Sequence, residues 1–215
     1  MFAVLLNYFW LSFDPRDTAE QYCDQHCFKI HSEVISSVWN AVLEVAPWVG
    51  PLADEAQVPK SYRIGTRHRK HPLSKWAGLS AANCYTSLIN ARAILEEHQK
   101  RTGRHHVAWQ DWEFLWGILP QVKFGANAPP DKLKIFRPVP WIWFDHANVD
   151  PRLEEDYFTV PPRCFGKFQA TPGLGVVGAY REYYLDKTQT IKGGMRYYHG
   201  TEVPKWLRGK GIKTR

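Results

Sequence analysis

The chain has four cysteines and two methionines in 215 residues. Cys23, Cys27, Cys84 and Cys164 contain no C-x-x-C pair, which removes the usual zinc-ribbon and thiol-redox signatures. No Lys/Arg-led leader precedes an apolar run, so a reducing, cytoplasmic setting without disulfides is expected. Long apolar runs are also missing. Met1–Phe13 is apolar but shorter than the roughly 20 residues that cross a bilayer, and it predicts a buried strand or extended segment with no membrane partner. Gly173-Leu174-Gly175 and Gly193-Gly194 are too short to be nucleotide-cradling loops. No internal repeat and no second compositional block is present, which predicts one domain over 1–215.

Acidic residues are the minority, 21 against 28 Lys and Arg, giving a net charge of +7. Such a balance suits a polyanionic partner, because cations that neutralise phosphates release condensed counterions. It equally suits a merely soluble basic surface. Aromatics reach 14%, with ten each of Trp and Tyr, more than a core of this size requires. Stacking surfaces are therefore expected beside core rings.

The periodicity predicts a mainly α fold of two long and several short helices, with long Pro-rich loops. Asp14-Pro15 is a helix start, an oxygen acceptor before a first-turn proline, and Cys23, Cys27, Ile30, Val34 and Val38 continue an apolar face. The first helix is thus expected over 13–46. The second is expected over 72–103, with Trp76, Leu79, Tyr85, Leu88, Ile94 and Leu95 as core and Gly103 as its stop. Shorter helices are predicted at Trp109–Trp116 and Tyr180–Thr190. Residues 127–175 carry eight of the fifteen prolines and read as loops with short extended pieces such as Trp141–Phe144, while 205–215 reads as a mobile basic tail.

Tyr22, His26, Lys29 and Glu33 are spaced four, three and four apart, so they share one helical face beside the apolar one. A carboxylate there is placed for acid/base work or for stabilising developing positive charge; the plainer account of Lys29 and Glu33 is a surface ion pair. His26 and Lys29 can hold a flipped base or its phosphate, and Lys29 can be a nucleophile if burial lowers its pKa. The plainer account of His26 is a helix histidine with its needs met. Cys23, Cys27 and His31 form an i, i+4, i+8 ladder, but a structural zinc needs a fourth ligand, and core packing accounts better for the cysteines. No metal and no cofactor are expected. Arg67, Arg69, Lys70 and His71, with Arg104, suit phosphate contacts or a solvated loop. Tyr180, Arg181, Tyr184 and Lys187 interleave rings and cations as a strand-gripping surface does, although Tyr180 and Tyr184 are also at helical core spacing.

Asp24-Gln25-His26 followed by Glu33 resembles the catalytic helix of the phage pyrimidine-dimer glycosylases known as endonuclease V. Ala91–Gly103 is similar to that family's long middle helix. Lys29-x-x-x-Glu33, His71-Pro72 with Trp76, Ala179-Tyr180-Arg181-x-Tyr183-Tyr184 and Pro204-x-Trp206-Leu207 resemble blocks of its phage and bacterial relatives. The resemblance covers about half the chain in four islands and leaves out most of 104–175. It implies an endonuclease V-like fold, duplex DNA as partner, base flipping, and a repair-type DNA glycosylase activity with Glu33 central; for a phage protein the location is the host cytoplasm. That family attacks the sugar with the α-amino group of a small second residue, whereas Phe2 stands here. The amine is therefore not expected at the same spot. This departure brings in a second expectation, a viral base-hypermodification enzyme that transfers a group onto a modified pyrimidine, and a third, a DNA-binding module without catalysis.

Overall fold

The computed structural model describes residues 8–63, 69–124, 135–136, 158–159, 161–191, 193–199, 201–209 and 212–214. Seven α-helices run through them: α1 (Pro15–Gln21), α2 (Asp24–Val45), α3 (Val49–Glu55), α4 (Pro72–Ala77), α5 (Ala81–Thr102), α6 (Ala108–Ile118) and α7 (Val176–Thr190). Strand pairing among the described residues is slight: Ile135–Phe136 runs antiparallel to Phe158–Thr159, and Arg196–Tyr197 runs parallel to Lys213–Thr214. Arg67 and the extended piece expected at Trp141–Phe144 lie outside the described residues.

The mainly helical expectation holds, but each long helix is interrupted. The segment expected as one helix over 13–46 breaks at Tyr22 and Cys23, which are extended, and restarts at Asp24. Its start is as expected: the Asp14 carboxylate accepts from Arg16 N and Asp17 N at 2.8 and 3.1 Å. The break has a tertiary cause. Buried Arg101 of α5 donates to the carbonyls of Ala19, Glu20 and Tyr22 at 3.3, 3.2 and 2.8 Å, satisfying oxygens that a helix end leaves open. Its guanidinium also meets Glu97 at 2.7 Å and Asp24 at 3.3 Å. The segment expected over 72–103 likewise divides at Gly78–Ser80, because Ser80 caps α5 by accepting from Asn83 N at 3.1 Å. Leu79, expected in the core, is exposed in that joint. Gly103 stops α5 at φ +69°, where its N–H donates to the Gln99 carbonyl.

Helices α2 and α5 pack antiparallel, Asp24 opposite Arg101, Phe28 opposite His98 and Cys27 opposite Ile94. Helix α6 closes one side: the Trp112 indole donates to the Leu88 carbonyl, and the Trp39 indole donates to buried Asp111, both at 2.7 Å. A second centre of packing surrounds Phe9, whose ring meets His26 at 4.7 Å, Tyr184 at 5.1 Å and Tyr183 at 5.8 Å. The extended segment at 8–11 is thus buried between α2 and α7.

The tail expected to be mobile from residue 205 is partly anchored. Lys205–Leu207 form a 3-10 turn, Leu207 is buried, and the Trp206 indole donates to Gln21 at 2.7 Å. Upstream, Gln25 donates to the Gly194 carbonyl at 2.8 Å and accepts from Arg196 N at 3.0 Å, while Asp24 accepts from Tyr198 N at 2.9 Å.

Candidate functional site

Helix α2 carries a polar stripe along one face: His26, Lys29, Glu33, Ser37, Asn40 and Glu44 recur at steps of three and four. Its inner members are secured by local bonds, Ser37 to the Glu33 carbonyl at 3.1 Å and Asn40 to the Ser36 carbonyl at 2.6 Å. Glu33 sits at its middle with its side chain 6% exposed, and Lys29, 58% exposed, reaches back over it with Nζ 2.5 Å from Oε1. A carboxylate so enclosed differs from one in a solvated surface pair, where the i, i+4 contact stabilises by only ~0.2–0.5 kcal/mol. Lys29 itself lacks the burial on which a nucleophilic role for its amine depended.

His26 lies in a ring box of Phe9, Tyr22 and Tyr184. Burial first, then Lys187 and Lys29, lowers its pKa to about 3. It is a neutral ring at physiological pH and cannot serve there as an acid. Its Nδ1 is buried with no hydrogen-bond partner, leaving one polar atom in an otherwise apolar box. Lys187, beyond bearing on His26, places its ammonium 5.0 Å above the Tyr183 ring. The structure therefore brings His26, Lys29, Glu33 and Lys187 to one region. Asp24 and Gln25, by contrast, fasten the C-terminal segment and α5.

The tyrosines expected on a gripping surface are core residues. Tyr180 and Tyr184 are fully buried; Tyr180 donates to the Pro162 carbonyl at 2.7 Å, and the Tyr184 oxygen accepts from Cys23 N at 2.8 Å. Neither presents a free face to a base, because the helical spacing that aligns them turns both inward. Arg181 is tied to the Leu11 carbonyl at 2.8 Å and stacks over Trp206. Arg69 and Lys70 are exposed beside α4, and His71 caps α4 by accepting from Leu73 N at 3.2 Å. Arg104 is exposed just past the end of α5.

One cluster had no legible motif. His31, His98 and His106 converge with ring centres 4.2 to 5.6 Å apart. Burial and the neighbouring histidines depress His31 to about 3 and lower His98 as well; burial and His105 lower His106. His31 Nε2 and His98 Nδ1 are buried without partners. His106 Nδ1 accepts from Ala108 N, which places the ring proton on its Nε2 and makes that nitrogen a donor rather than a ligand. Cys27 of the Cys23–Cys27–His31 ladder is turned to the Ile94 carbonyl, and burial pushes its thiol up to about 12. Among the described residues no group of three His, Cys, Asp or Glu side chains is arranged to hold a metal ion. No described helix is long and apolar enough to cross a membrane.

Compared with family models, curated proteins and solved structures, the chain matches none.

Proposed function

We propose that this chain acts on duplex DNA, drawing a pyrimidine out of the stack and processing it at the base or its glycosidic bond. Extrusion is required because the reacting atoms are hidden inside the duplex. The observation that carries the reading is the enclosed Glu33 carboxylate beneath the exposed Lys29 ammonium, on a helical face that also holds His26, with Lys187 of α7 near His26. In this reading Glu33 is the acid/base group, Lys29 and Lys187 hold phosphate, and His26, enclosed by Phe9, Tyr22 and Tyr184, is a neutral ring that backs the site. The resemblance of the DQH…Glu spacing to pyrimidine-dimer glycosylases supports the same class.

A second reading in that class is a base-hypermodification enzyme that transfers a group onto a modified pyrimidine. It is favoured by the exposure of Lys29, which is not the desolvated amine that a Schiff base with the sugar calls for. A binding module without catalysis would need the cations but not the enclosed carboxylate. The deciding experiment is mass spectrometry of nucleosides from duplexes incubated with the protein, one set carrying pyrimidine dimers and one carrying hypermodified pyrimidines. Loss of a base supports the glycosylase and gain of mass on a pyrimidine supports the transferase. Unchanged nucleosides in a duplex that the protein binds tightly would leave the binding module.

A further inference from the structure

Between α2 and α4 lies a groove of about 930 Å³, within the ~300–1,000 Å³ typical of sites that enclose a small organic group. Its walls differ sharply in chemistry. Arg69, Lys70 and Lys75 stand exposed on the rim, and neither Lys70 nor Lys75 is ion-paired among the described residues. Glu44 faces them, 3.8 Å from Arg69, so one rim cation is partly neutralised and two remain for an outside anion. The apolar part of the lining is Ala41, Val45, Gly78 and the exposed Leu79. Ser74, 2% exposed, lines the groove with a buried hydroxyl that has no hydrogen-bond partner, and Asn40 lines it too. A buried hydroxyl left unpaired costs ~1–3 kcal/mol, a cost that an occupant offering a polar edge removes.

An apolar lining, a hydroxyl and a carboxamide in the wall, and cations at the lip match a deoxyribose with its phosphate outside. The position along α2 adds a second argument. Asn40 is seven residues past Glu33 on the same stripe, about 10 Å at 1.5 Å per residue. That span equals about three stacked steps of one strand at 3.4 Å each. We infer that the α2–α4 groove seats the sugar-phosphate backbone of the bound DNA strand about three steps from the nucleotide that Glu33 acts on, with Lys70 and Lys75 on a phosphate and Ser74 and Asn40 on the adjoining sugar. This assignment rests on the proposed action on duplex DNA. It makes the stripe a strand track, reacting at its middle and gripping towards its Glu44 end.

The test measures binding of a fluorescent 24-base-pair duplex across a salt series, together with acetylation of lysines with and without DNA. Lys70→Glu/Lys75→Glu should weaken binding at least tenfold and lower the log–log salt slope by about two. The charge-matched Lys205→Glu/Arg208→Glu, whose residues line a different cavity, should stay within twofold. Ser74→Ala, which alters no charge, should weaken binding about threefold. DNA should protect Lys70 and Lys75 from acetylation and leave Lys205 reactive. Equal losses in the two charge-reversal variants, or binding with Lys70 and Lys75 unprotected, would overturn the groove assignment and leave the reading of Glu33 standing. A wild-type protein that does not bind the duplex at all would overturn both.

Discussion

Lys29 Nζ lies 2.5 Å from Glu33 Oε1, and the two ends of this contact occupy opposite environments, the lysine in solvent and the carboxylate enclosed. The lysine therefore screens a group that burial would otherwise penalise when charged. Lys29→Ala should cost ~1–2 kcal/mol in urea unfolding, above a solvated surface pair, because hydrogen bonds to charged groups contribute about 1.5–3 kcal/mol. Adding Glu33→Gln to that variant should recover part of the loss. Additive losses in the double-mutant cycle would return the pair to an ordinary surface contact.

Arg101 should not tolerate lysine. Its fork reaches three carbonyls at the α1–α2 break and two carboxylates at once, a geometry one ammonium cannot reproduce. Arg101→Lys is expected to destabilise by at least ~2 kcal/mol, and Arg101→Met by ~3–5 kcal/mol, since the latter removes the buried counter-charge of Asp24 and Glu97 and leaves them only the exposed Lys100 and the half-exposed His199. Denaturant midpoints give both values. A lysine variant as stable as the wild type would mean that the break is held by something else.

Acid should unfold the protein through its histidines. His26 and His31 fall to about 3 when folded, against ~6.5 unfolded. Between those values the unfolded chain binds protons that the folded one does not, so stability falls as pH drops from about 6.5 towards 3, by up to ~1.4 kcal/mol per unit for each ring. Asp111 works in the other direction: burial raises it to about 6, so its folded form takes a proton first and opposes one histidine between about pH 6 and 4. The net slope should still favour neutral pH, and His31→Leu should flatten it. Thermal melts from pH 7.5 to 4 test this, and stability independent of pH would refute the burial of these rings.

Tyr180→Phe separates core from contact surface. Losing the bond to the Pro162 carbonyl should cost ~1 kcal/mol, while duplex affinity stays within twofold of wild type. A large loss of affinity at unchanged stability would restore the ring to the surface.

Much of this was legible in the chain. Asp14-Pro15, the three-and-four spacing of apolar residues through α2 and the Gly103 stop are local signals, and all three reappear in the fold. The spacing of His26, Lys29 and Glu33 also placed them on one face. The break at Tyr22 was not legible, because it depends on Arg101 nearly eighty residues away. Periodicity could not say that Tyr180 and Tyr184 turn inward, since an aromatic at helical spacing serves a core and a stacking platform alike. The groove at Asn40 and Ser74 had one faint signal, the continuation of the polar stripe past Glu33 to Ser37, Asn40 and Glu44. The histidine cluster had none, because its rings come from α2, from α5 and from the turn before α6.

Glu33→Gln decides whether the enclosed carboxylate does the chemistry. The substitution keeps the size and hydrogen-bonding reach of the side chain and removes its charge, so the fold and duplex affinity should change little. The measurement is the rate at which pyrimidine nucleosides in dimer-bearing or hypermodified duplexes are altered, followed by mass spectrometry beside far-ultraviolet dichroism. The expected result is a folded, DNA-binding protein whose rate falls on the order of a hundredfold or more, the scale for loss of a positioned acid/base group. A Glu33→Gln protein that alters the same nucleoside at the wild-type rate would contradict it.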